Sequence, residues 1–108
     1  MASTTLRILH FNDVYNIAER AQPPCGGVPR FATLLEQRRR QAAEDGVACI
    51  TCFSGDALYP STLSTLTNAR QMVDALNLLM PEGVASVGNH DGKPTHSLFQ
   101  GYNITPLL

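Results

Sequence analysis

Four residues of kinds that bind metal ions or move protons each come at or soon after the end of an apolar run. Asp13 follows residues 6–12, Asp56 comes shortly after residues 47–53, and Asn89 with His90 comes shortly after residues 84–87. Carboxylate and amide oxygens suit hard or borderline divalent cations such as magnesium or manganese, and a carboxylate can bridge two of them. Imidazole extends the range to zinc and iron. Singly, each residue is ordinary, since Asp and Asn are common in loops after strands. Their chemistry depends on whether the fold brings them together.

The elements around them predict that it does. Residues 6–12 (LRILHFN) read as a short buried strand that stops at Asn12-Asp13. A loop carrying Pro23, Pro24, Gly26 and Gly27 then leads to Val28, Phe31, Leu34 and Leu35, whose spacing is helical. Pro29 suits a first helical turn and Asp45-Gly46 a helix stop. Residues 47–53 (VACITCF) predict a second strand delivering Asp56, followed by a turn around Tyr59-Pro60. Asn68 with Gln71 three residues on resembles a capping box for a helix carrying Met72, Val73, Leu76, Leu79 and Met80, closed by Pro81. Residues 84–87 predict a weak third strand that delivers Asn89 and His90, and from Gly92 the pattern fades. Strands alternating with helices predict an α/β fold, a parallel βαβαβ unit with right-handed crossovers and all three strand ends at one edge. Open α/β sheets bind ligands there, so Asp13, Asp56, Asn89 and His90 form a candidate metal site.

Composition narrows the setting. The chain has 108 residues, so it is one domain at most, and its formal net charge of -1 argues against binding nucleic acid through the phosphate backbone. The charged fraction is 16%, against about 25% in average soluble domains, which predicts that part of the surface is normally covered. Three cysteines without framework spacing suit a reducing compartment. The start of the chain shows no secretory signal, and no apolar run approaches the roughly 20 residues of a spanning helix, so a soluble, cytoplasmic protein without membrane contact is expected. Cys49 and Cys52 have CxxC spacing but lie within the predicted second strand, where that spacing puts them on opposite faces. They read as small core residues before they read as a redox pair. Arg38, Arg39 and Arg40 fan around the first helix and predict a solvated helix end favourable to its dipole.

Residues 8–15 (ILHFNDVY), 26–35 (GGVPRFATLL), 53–56 (FSGD) and 88–91 (GNHD) closely resemble, in this order, the 5'-nucleotidase branch of the calcineurin-like metallophosphoesterases. Residues 60–64 and 72–77 are similar to that branch's stretch between the second and third motifs. The resemblance implies that residues 1–91 are the N-terminal part of a metallophosphoesterase-type α/β sandwich, incomplete here, while residues 92–108 are a tail without such resemblance. It further implies a dinuclear site of two divalent ions, manganese, magnesium, zinc or iron, with Asp13 on the first, Asp56 bridging and Asn89 on the second. His90 would donate a hydrogen bond or proton to the phosphate or leaving oxygen. The implied substrates are nucleoside 5'-monophosphates and related phosphoesters.

Three departures qualify the expected activity. Tyr15 stands where the family motif usually places a histidine ligand, and phenol is a poor ligand at neutral pH because its pKa is about 10. Gly92 and Lys93 stand where an aromatic residue and a carboxylate usually follow, so a cation takes the place of the group that orients the histidine. The family's later histidine ligands and its C-terminal substrate domain have no counterpart before Leu108. The expectation is a phosphate monoester hydrolase truncated and weak or inactive alone. The alternative is a non-catalytic fragment that binds a partner through an exposed sheet edge. Asp91 is adjacent to His90 but is expected to point elsewhere if residues 88–91 turn as they do in the family.

Overall fold

The computed structural model describes residues 3–58, 61–80, 83–86, 88 and 91, and the backbone of 105–106. The first apolar run forms strand β1 (Leu6–Phe11), and α1 (Val28–Glu44) follows with a proline in its first turn. Strand β2 (Ala48–Phe53) lies parallel to β1, with Leu6 opposite Ala48 and Phe11 opposite Phe53. After two helices, α2 (Thr62–Thr67) and α3 (Arg70–Leu79), strand β3 (Val84–Ala85) pairs parallel with β2. The expected α/β architecture with parallel strands is therefore present, and its strand ends share one edge.

Strand β4 (Thr105–Pro106) pairs parallel with β3, Val84 opposite Thr105. The sheet order among the described residues is β1-β2-β3-β4. Periodicity gave no hint of β4, because two residues are too few to show any. Its proline suits an outer strand, where a missing backbone N–H is tolerated. Two residues of the 92–108 stretch thus join the same sheet.

The core forms on one face of this sheet. In α1, Val28, Leu35 and Ala42 recur every seventh residue and are buried. In α3, Met72, Val73, Ala75, Leu76 and Leu79 are buried. These stripes pack with Phe53 and Ala85 of the strands and with half-buried Leu9, Phe11 and Phe31. Phe11 meets Phe31 edge-on at 5.0 Å between ring centres and Phe53 at 5.1 Å, which anchors the end of β1 to α1 and β2 just before Asp13. On the other face Leu6 and Ile8 remain 55% and 58% exposed, although parallel sheets are usually covered on both sides.

Three local expectations are corrected. Asn68 does not cap α3: it closes α2 in the left-handed conformation, and Gln71 bonds back to Thr67 and to Ser64 Oγ at 2.9 Å. The N-cap belongs to Ser61, whose hydroxyl accepts from Ser64 N–H at 2.9 Å and starts a helix that apolar periodicity did not show. Arg39 is not solvated, because α1 packs against β2 and α3 at that point. Its guanidinium donates to Thr51 Oγ1 at 3.0 and 3.2 Å and to the Leu79 carbonyl at the end of α3. Cys49 and Cys52 are half-buried free thiols, less enclosed than core positions.

Candidate functional site

Asp13 and Asp56 occupy equivalent places just past the ends of adjacent strands, and backbone bonds join the two loops directly. Ser54 N–H donates to the Phe11 carbonyl at 3.2 Å, Asp13 N–H to Gly55 at 3.1 Å and Val14 N–H to Asp56 at 3.0 Å. Both aspartates are left-handed, with φ of +56° and +64°. That conformation is unfavourable for residues other than glycine, and Asp and Asn tolerate it best. Asp13 is exposed and Asp56 half-buried.

Around Asp13 the donors are local. Asn12 donates its side-chain N–H to Oδ2, and Tyr15 donates its hydroxyl to Oδ1 at 2.6 Å. Tyr15 therefore acts as a hydrogen-bond donor to the carboxylate and stays protonated. Its pKa is pushed up to about 12, first by the bond to Asp13, then by desolvation and by the nearby charges of Asp13, Asp56 and Asp91. Three carboxylates thus act on one phenol from three separate loops. Beside them opens a cleft of about 600 Å³ lined in part by Asp13, Tyr15, Glu19, Arg20, Cys25 and Gly26.

The third loop is held to the second by a residue that was expected to point away. Asp91 is 2% exposed, and its carboxylate accepts four backbone N–H groups. Oδ1 takes Ala57 and Leu58 at 2.9 Å each, and Oδ2 takes Asp56 at 2.9 Å and Gly88 at 2.8 Å. Three successive amides converge on it because Asp56 is left-handed, which makes a small backbone nest for an anion. Asp91 N–H also bonds the Gly88 carbonyl at 3.2 Å, closing a tight turn. At Gly88 a β-carbon would run into the Asp56 carboxylate and amide, so only glycine allows this approach. A carboxylate directly after a glycine-flanked turn is the signal that could have found Asp91. It was masked by the more conspicuous Asn and His before it.

Asn89 and His90 lie outside the described residues, as does Lys93. Of Gly88 and Asp91, which bracket the first two, Asp91 accepts the Asp56 amide and Gly88 packs closely against Asp56. Among the described residues no group of three or more His, Cys, Asp or Glu is arranged to hold a metal ion. Asp91 cannot add to the donors, since a carboxylate has about four acceptor sites and all four are engaged. His10, the one described histidine in a strand, bonds Ser54 Oγ at 2.8 Å.

No protein-family model matches this chain, and no curated protein does.

Proposed function

We propose that the chain carries the first part of a divalent-metal site for hydrolysing phosphate monoesters, with nucleoside 5'-monophosphates as the substrate class. The observation that carries this reading is the pairing of Asp13 and Asp56, two carboxylates held left-handed past neighbouring parallel strands and stitched to each other through the backbone. Oxygen donors of this kind fit hard divalent cations. A cation held by Asp13 and Asp56 would supply Lewis-acid polarisation of a phosphoryl oxygen and activation of a water. Asp56, half-buried and gripped from two sides, is the better-fixed donor. Asp13 is oriented by Asn12 and by Tyr15, whose one hydroxyl proton is engaged on its carboxylate beside the adjoining cleft. The cleft falls within the volume range of small-molecule sites, about 300–1,000 Å³. The sequence resemblance gives Asn89 the role of a second ligand and His90 that of proton donor. A cytosolic setting fits the three free thiols.

The test is phosphate release from a nucleoside 5'-monophosphate by the purified chain with manganese. Release above the metal-only background that Asp56→Asn removes is the expected result. Equal release by both chains overturns the reading.

A second reading, a binding fragment, is favoured by one observation. Among the described residues strand β1 is an outer strand, and its uncovered face presents Leu6 and Ile8. It predicts a stoichiometric complex in sedimentation and no turnover.

A further inference from the structure

We infer that Asp91 is a positioning residue, which sets the affinity of the Asp13–Asp56 pair for a divalent cation by holding Asp56 in its left-handed conformation; this rests on the metal reading above. The argument begins with the cost of that conformation. Even for Asp, which tolerates it better than most residues, the left-handed conformation is unfavourable beside the ordinary ones, so something must hold it. The loop after β2 has no regular structure of its own, and the amides of Asp56, Ala57 and Leu58 need acceptors away from water. One carboxylate satisfies all three and reaches Gly88 as well, so the loops after β2 and β3 are joined through a single buried anion. Because the nest forms only while Asp56 is left-handed, occupying the nest and aiming the Asp56 side chain are one event. Asp91 is saturated as an acceptor, which removes it from the list of cation ligands and leaves it the part of support.

An amide in place of the carboxylate tests this. Asp91→Asn keeps the volume, but its nitrogen offers donors where two backbone N–H groups need an acceptor. Manganese affinity of the full chain is expected to fall about 10-fold or more, in line with outer-shell substitutions at metal sites. The circular-dichroism spectrum and a cooperative thermal transition should be retained, and Asp91→Glu should recover part of the affinity. Unchanged affinity in a folded Asp91→Asn overturns the inference.

A second measurement needs no variant. If an open nest binds cation less well, linkage requires the cation to suppress nest opening by the same factor. Saturating Mg2+ should therefore slow hydrogen exchange of the Ala57 and Leu58 amides by about 10-fold or more. Exchange that is unaltered by saturating Mg2+ overturns the positioning role even if Asp91→Asn fails to fold. Failure of the metal reading looks different: the wild-type chain then shows no saturable binding, or binding that Asp56→Asn leaves intact, and the role assigned to Asp91 falls with it.

Discussion

Tyr15 shows how residue type sets what a position can do. A histidine there could ligate a cation through a neutral nitrogen, whereas a phenol with its pKa pushed up to about 12 remains a donor throughout the physiological range. Folding favours the protonated form, because the folded value lies above the ordinary 10.0. Its contribution to stability is therefore whole below pH 10 and is lost as the pH climbs toward 12. Ultraviolet titration should show one phenol ionising near 12, absent in Tyr15→Phe; a titration curve identical in the two chains would refute the Tyr15–Asp13 bond. Asp45 works in the opposite sense. Bonds from Gln41 and Arg7 hold its pKa below the ordinary 3.8, so its contribution is present above that value and lost as the pH falls through the lowered one. Asp45→Asn should accordingly flatten the acid limb of the stability curve measured by urea unfolding at several pH values.

At the level of elements, α1 and α3 hold the strands that deliver Asp13 and Asp56, and two side chains carry much of that junction. Leu76 is 1% exposed within the core, and Leu76→Ala should cost about 3 kcal/mol in urea unfolding. That is a large share of the roughly 5–15 kcal/mol of a typical domain. Arg39 links three elements by donating from α1 to Thr51 in β2 and to the last carbonyl of α3. Arg39→Met retains the apolar stem and removes the donors. The expected loss is about 2 kcal/mol, since hydrogen bonds from charged groups contribute roughly 1.5–3 kcal/mol each and Arg39 is only partly buried. A loss within 0.5 kcal/mol, typical of surface sites, would mean the guanidinium is solvated after all. The expectation of a solvated arginine cluster failed here for a definable reason. Three consecutive arginines fan around a helix, so one of them must face whatever packs on it, and sequence spacing alone does not say which.

Across the whole molecule, the helices cover one face of the sheet and leave Leu6 and Ile8 open on the other. No helix among the described residues is long and apolar enough to cross a membrane. Ile8→Lys should leave unfolding free energy nearly unchanged, because the side chain is 58% exposed, and should shift the sedimentation profile toward monomer if the face associates. An unshifted profile in a chain that does self-associate would place the contact elsewhere.

Much of the fold was legible in the residues alone. Apolar runs with an Asp soon after them marked β1 and β2, the helical spacing of Val28, Phe31, Leu34 and Leu35 marked α1, and alternation of the two marked a parallel sheet, because burial and backbone periodicity are properties of short segments. The candidate donors Asp13 and Asp56 were legible for the same reason, each being the first carboxylate past a strand. What only the tertiary structure decided was which polar groups meet across long separations: Asp91 with the amides of residues 56–58, Arg39 with Thr51 and Leu79, and Tyr15 under the charges of three loops. Hydrogen bonds to backbone amides leave almost no trace in residue type, since every residue but proline has the same N–H. Which carboxylate a nest captures is set by the turn of the chain in space.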